Sequence, residues 1–241
     1  MARFKSEKTL FSGYSEDQLI AMHEAAAEVL ECYRVLAKTK TNIVAELLKT
    51  QGEFYEWEHF PKGDSVDWET HSQYYYHAHP KSQRPGEHGH FHTFMRYKGM
   101  PKSAKPAPLK HPHKKNGKRI GAHLVALAMD KKGFPIQLFT TNRWVTDETW
   151  YDARTVISML DSYNMDHTYP SWATNRWLSA MLRLFRPQIE ELIHIRDKKI
   201  ALWQKKYPKK DIFEDRKLEV TSTFPVSVEK QIRSLEKALG V

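Results

Sequence analysis

A chain of 241 residues with 40% apolar and 28% charged residues is long enough to bury a real core, and no run in it approaches the roughly 20 apolar residues of a membrane span. Its only cysteine, Cys32, excludes an intrachain disulfide and a Cys-rich zinc site, so any metal must rest on nitrogen and oxygen ligands. The net charge of +9 favours anionic partners. The N-terminal MARFKSEKTLFSGYSEDQ lacks the apolar stretch of a secretory signal, so the expected location is cytoplasmic.

In chain order, the pattern first predicts helix over residues 15–50. Ser15 with Gln18 three residues on forms a capping box. Leu19, Met22, Ala26, Val29, Leu30 and Tyr33 recur at helical spacing. Cys32 lies in the same pattern and reads as a small buried hydrophobe. Thr41 can cap a second piece, NIVAELLK, which Gly52 can end. Residues 53–80 are rich in aromatics and acids, with a PKGD turn signal. SQYYYHAH (72–79) and HGHFHTFMRY (88–97) have strand composition. A Pro- and Lys-rich loop fills 98–119. IGAHLVALAMD and FPIQLFTTNRW then read as two strands of a hairpin turning at DKKG, with Gly133 at the turn.

The C-terminal part turns helical again. Thr146 or Asp147 can cap a helix running to about Tyr163. SWATNRWLSAMLRLF (171–185) is amphipathic, and Pro187 can open the next helix. KLEVTSTFP (217–225) is one more candidate strand, and a helix capped by Ser227 closes the chain. These elements add up to one α+β domain over 1–241. Strands within 70–145 form an antiparallel sheet, covered by helices from 15–50 and 147–241.

The strongest signal is histidine. Of 13 histidines, nine fall between residues 71 and 123: His71, His77, His79, His88, His90, His92, His111, His113 and His123. Side chains on a strand alternate faces. His88, His90 and His92 therefore share a face with Phe94, and His77 and His79 share one with Gln73 and Tyr75. On the next strand His123 falls on the side of Val125, Leu127 and Met129. Neighbouring strands lie about 4.8 Å apart, so histidines from two of them can converge on one ion. Neutral imidazole suits zinc, iron and copper, and three protein ligands leave a position open for chemistry. His90, His92 and His123 are the first ligand set. His77, His79 and His88 are alternates or supporting partners. His59 and His71 read as peripheral, HPH (111–113) as solvated, and His23 and His194 as ordinary helix residues.

HFH (90–92) with GAHLVAL (121–127) is similar to the ligand layout of alpha-type carbonic anhydrases, which place H-x-H on one strand and a third histidine on a later one. Cupins also use H-x-H, followed by a glutamate. Here Thr93, Phe94, Met95, Arg96 and Tyr97 follow, and that glutamate is missing. Both likenesses bear on geometry and carry no activity. EFYEWEHFPKGD, SQYYYHAHP and EHGHFHTF as a set resemble an uncharacterised family of bacterial proteins of unknown function over residues 50–95, which implies no activity either.

Around the histidines stand Glu53, Glu56, Glu58, Asp64, Asp67 and Glu87, carboxylates that can complete a metal site, orient a ligand or move a proton. Glu87, Glu56 and Tyr75 are the catalytic candidates. Trp57, Trp68, Tyr74, Tyr75 and Tyr76 can wall a pocket or fill a core. Arg143 and Trp144, at a strand end, can take an anion. No GxGxxG, P-loop, GxSxG or HExxH occurs, which argues against the common nucleotide-dependent and serine-hydrolase chemistries.

The first reading is a metal-dependent enzyme acting on a small molecule, redox at iron or copper or hydrolytic at zinc. The second is a nucleic-acid or phosphate-binding module using the basic segments 102–119 and 196–210. The third is a non-catalytic structural protein whose histidines respond to pH.

Overall fold

A computed structural model describes residues 10–109 and 121–241. Six strands form one antiparallel sheet in sequence order: β1 (Phe60–Val66), β2 (Ser72–His77), β3 (Gly89–Met95), β4 (Ala122–Met129), β5 (Pro135–Thr141) and β6 (Val220–Pro225). Among the described residues there are seven α-helices: α1 (Glu16–Lys38), α2 (Ile43–Leu48), α3 (Arg143–Thr146), α4 (Ala153–Met159), α5 (Trp172–Leu184), α6 (Arg186–Lys206) and α7 (Val228–Leu239). The architecture is the expected α+β one, with helices from both ends of the chain around an antiparallel sheet.

The capping signals account for most helix starts. The Ser15 backbone N–H donates to Gln18 Oε1 at 2.9 Å, and Gln18 N–H donates back to Ser15 Oγ at 3.3 Å. Ser227 caps α7 as expected, Ser171 caps α5, and Pro187 sits in the first turn of α6. Other expectations are corrected. Asn42, not Thr41, caps α2. Leu30 lies outside the buried stripe of α1 and is 49% exposed. No helix begins at Thr146 or Asp147: Asp147 ends α3 in the left-handed conformation, φ 53°. The chain instead dives inward through Glu148, Thr149, Trp150 and Tyr151, all buried, and Asp152 caps α4. Tertiary burial overrides the local signal there.

β1 runs through FPKGDSV, which reads as a turn. An edge strand tolerates Pro61 and Gly63 because one side of it pairs with no strand of the described residues, and its register with β2 shifts between Phe60 and Ser65. The hairpin between β4 and β5 turns as expected, with Gly133 at φ +80°.

The two faces of the sheet differ. Tyr74, Tyr76, Phe91, Met95, Leu127, Met129 and Leu138 pack in one apolar core with Val29, Trp177, Leu178 and Ile189 of the helices. The other face carries Tyr75, His77, His90, His92, Phe94, His123, Ala126, Ala128 and Phe139, brought side by side by the pairings Tyr75↔His92, His77↔His90, His90↔Ala128, His92↔Ala126, Phe94↔His123 and Ala126↔Phe139. No helix of the described residues is long and apolar enough to cross a membrane.

Candidate metal centre

Simple alternation puts His90 and His92 on one face of β3, and the antiparallel register sets Tyr75 and His77 beside them. His123 reaches the same face by a different route. Between His92↔Ala126 and Phe94↔His123, two steps on β3 oppose three on β4. This β-bulge reverses the alternation of β4. His123 therefore lies with Phe94 and His92, not with Val125, Leu127 and Met129 as its spacing suggests. Thr93 braces the bulge: its Oγ1 donates to the Val125 carbonyl at 2.7 Å and accepts from Val125 N–H at 3.3 Å.

His77 Nε2 and His90 Nε2 face each other at 2.7 Å. His79, just beyond β2, puts its ring 4.9 Å from that of His77 and 5.2 Å from that of His90. One donor atom from each of the three lies within 4.8 Å of the others, a group that could hold a metal ion. Next to it, the rings of His90 and His92 are 4.8 Å apart, and His92 Nδ1 meets His123 Nε2 at 3.0 Å. The structure thus gathers His77, His79 and His90 into one group and pairs His92 with His123.

Two carboxylates flank the row. Glu87 accepts from His90 Nδ1, which fixes the tautomer and leaves the His90 Nε2 lone pair facing His77. Glu148 Oε2 accepts from the His123 backbone N–H at 2.8 Å. Burial raises both carboxyls to about 7. Arg84 opposes the rise at Glu87, and Arg196, the His123 N–H, Arg143 and Thr146 oppose it at Glu148. Burial acts on the imidazoles in the opposite sense. It lowers His77 and His123 to about 3 and pushes His90 and His92 well below the ordinary histidine range, with neighbouring imidazoles and Arg84 adding to the effect at His77, His90 and His92, and Arg196 at His123. All four are neutral at pH 7, the state in which imidazole ligates.

The segment after His79 folds back over this face. Arg84 lies over the Phe139 ring at 4.9 Å and pairs with Glu219 at 2.7 Å. Trp57, 54% exposed, meets the half-buried His79 ring edge-on at 4.3 Å.

His88 is not part of the group. It precedes β3, and its Nδ1 meets the Tyr76 hydroxyl at 2.7 Å while its ring stacks on Phe54. Gly89 permits this, because a Cβ there would come within 2.6 Å of both the Tyr76 hydroxyl and the His77 carbonyl oxygen. Tyr75 lies buried among His92, Phe94 and His59, and burial lifts its hydroxyl pKa far above the ordinary range. Glu56 is exposed on the loop beside Trp57; burial first, and Arg84 after it, lowers the His79 pKa, with Gln83, Glu219 and Glu56 opposing. His59, expected at the periphery, stacks face to face on Tyr75 at 3.7 Å.

Tyr74 and Tyr76 belong to the helix-side core. Arg143 is buried and engaged by Asp147, Glu214 and the Glu148 carbonyl, and Trp144 donates to the Leu218 carbonyl. This pair is structural rather than an anion site. His111 and His113 lie outside the described residues, as does part of the basic segment 102–119. Glu148 was not legible as a partner of His123, since a lone acid 25 residues downstream carries no spacing signal.

No curated protein and no solved structure matches the chain. A family model described as a domain of unknown function, DUF6969, matches residues 23–226, a span that contains every histidine and carboxylate of the row. The chain belongs to the DUF6969 family.

Proposed function

We propose that the protein is a metal-dependent enzyme for a small-molecule substrate, with a transition-metal ion held by His77, His79 and His90. The observation that carries this reading is the 2.7 Å approach of two buried Nε2 atoms, with His79 completing the group. Zinc–nitrogen bonds of about 2.0–2.1 Å ask for ligand nitrogens somewhat further apart than 2.7 Å, so the rings need only a small outward movement to accept an ion.

A bound ion of this type supplies Lewis acidity and an activated water, or electron transfer if it is iron or copper. The chain's own residues supply the rest. Glu87 holds the His90 ring by its Nδ1–H and so sets which nitrogen faces the ion. Arg84 and Phe139 close the inner side against water. The half-buried His79, with Trp57 and Glu56 beside it, marks the open side by which a substrate enters.

The test is metal content by mass spectrometry on untagged protein reconstituted with zinc, iron or copper, beside the His77→Ala/His90→Ala double variant. Retention of one metal in the parent and loss of one equivalent in a folded double variant is the expected result, and the metal retained chooses between redox and hydrolytic chemistry. Equal metal content in both proteins overturns the assignment.

A further inference from the structure

The C-terminal end of α6 takes no part in the histidine row. We propose that this helix end binds the phosphodiester backbone of nucleic acid without reading its sequence. The inference goes beyond the proposed function and does not depend on it.

The helix outruns its core. Ile200 is its last buried residue, and from Ala201 to Lys206 every position but the half-buried Trp203 is exposed. Residues 198–210 hold six lysines, Lys198, Lys199, Lys205, Lys206, Lys209 and Lys210, all exposed, and no acid. The carboxylates next along the chain are engaged elsewhere. Asp197 accepts from the Ala153 N–H at 2.6 Å and from Arg196 Nε at 2.9 Å. Asp211 accepts from the Phe213 N–H at 3.2 Å, and Glu214 pairs with Arg143. Asp215 accepts from Trp203 Nε1 at 3.1 Å and lies 3.6 Å from Lys210 Nζ. Of the six lysines, Lys210 alone pairs with a carboxylate of the described residues.

Two half-buried rings hold the ammonium groups together. Lys199 and Lys206 each lie 5.8 Å from the centre of the Trp203 ring, and Lys206 and Lys210 lie 5.3 and 5.1 Å from that of Tyr207. The two rings are 5.0 Å apart. Positive charge is favourable in the last turn of a helix, which accounts for Lys205 and Lys206. It does not account for Lys198, Lys199, Lys209 and Lys210. Like charges gathered without acids oppose folding, and a bound polyanion relieves them.

The makeup of the surface chooses the anion. A membrane-binding helix sets an apolar face beside its lysines, whereas Leu202, 66% exposed, is the one large apolar residue exposed in this segment. Protein–protein interfaces are depleted in lysine. Nucleic acid is the partner whose affinity rests on phosphates neutralised by lysine and arginine. Residues 198–210 contain no arginine, the side chain whose planar fork reads guanine edges. The contact is therefore ammonium to phosphate, which positions a nucleic acid without specifying its sequence. From Lys198 to Lys206 the helix rises about 12 Å, at about 1.5 Å per residue. That length covers several phosphates of a duplex with about one charge per 1.7 Å of its axis.

The experiment measures binding of the full chain to a labelled DNA duplex, a duplex of scrambled sequence and a single-stranded RNA, by fluorescence anisotropy over a range of salt. The parent should bind both duplexes equally. The plot of log affinity against log salt should have a slope of about −5 on a duplex, with six contacts at about −0.9 each. Lys205→Gln/Lys206→Gln and, separately, Lys198→Gln/Lys199→Gln remove two contacts apiece. A rise in Kd of about tenfold with a slope smaller by about two, in either folded variant, supports the proposal. The two pairs lie on different turns, so a folding failure in one leaves the other to decide. No binding by the parent at low salt overturns the proposal. Parental Kd and slope in both variants overturn it too, because the contact then lies elsewhere on the chain. A preference of about tenfold or more for one duplex over its scrambled partner overturns the backbone-only contact. Tighter binding to phosphatidylserine vesicles than to any of the nucleic acids, lost in the same variants, overturns it and assigns the surface to a membrane.

Discussion

One sheet presents two chemistries. On the helix-covered face, Tyr74, Tyr76, Phe91 and Leu127 meet Val29, Trp177 and Leu178 in a continuous apolar core, and the Tyr74 hydroxyl finds Asn175 at 2.6 Å. On the opposite face His77, His90, His92 and His123 lie buried and crowd together with Glu87 and Glu148. The first face is what folding would select for stability. The second is costly to bury and explicable by function. The contrast teaches that the sheet's stability and its chemistry are supplied from opposite sides, and each side can be perturbed separately.

Acid sharpens the contrast most. Consider the metal-free protein. Unfolded histidines take up a proton near 6.5, whereas His77 and His123 in the fold do so only near about 3, and His90 and His92 are also depressed. Between those values the unfolded chain binds more protons, so these groups lower stability as pH falls. Glu87 and Glu148 have the opposite sign: their folded pKa of about 7 lies above the ordinary 4.5, so they add stability as pH falls through that window. Four imidazoles outweigh two carboxyls. The net loss is partial between pH 6.5 and 4.5 and steepest below 4.5, with each uncompensated group contributing about 1.4 kcal/mol per pH unit. Urea unfolding midpoints measured from neutral pH downward should fall accordingly. Midpoints that hold or rise into acid would contradict a buried neutral cluster.

The apolar face is broken next. Trp177 is fully buried and its ring lies 5.9 Å from that of Phe91. Trp177→Ala should cost about 3–5 kcal/mol through the cavity it leaves. The folded fraction should still bind zinc with the parent's stoichiometry. A stability loss below about 1 kcal/mol, or folded protein that has lost its metal, would show that the two faces are not separable in this way.

How much of this was legible in the sequence follows the same division. The period-two spacing of His90 and His92, and of His77 and Tyr75, placed them together because strand alternation is a local property. The caps at Ser15 and Ser227 are equally local. Spacing puts His123 on the apolar side because nothing in IGAHLVALAMD announces a bulge; the reversal is decided by pairing with β3 and by Thr93. His88 keeps the spacing of its neighbours but lies outside β3, drawn to Tyr76 across a glycine. β1 carries no strand signature because an edge strand tolerates Pro61 and Gly63. The helix expected from Thr146 gave way to a buried turn carrying Glu148, a tertiary arrangement with no signature in spacing.

The bulge offers the finest test. Thr93→Val keeps the side-chain shape and removes the hydroxyl that bridges the Val125 carbonyl and N–H. Those backbone groups are then left buried without that partner, at a cost of about 1–3 kcal/mol. If the bulge relaxes, β4 alternation becomes regular beyond Ala126 and His123 turns toward the helices, away from His92. The expected outcome is a modest fall in the urea midpoint together with loss of the 3.0 Å contact between His92 Nδ1 and His123 Nε2, read from the imidazole NMR shifts of both residues, while zinc binding by the His77, His79 and His90 group is unaffected because it lies on the β2 side of β3. Unchanged stability with unchanged imidazole shifts would mean that the bulge is held by the strand pairing itself, and that Thr93 only fills the space beside it.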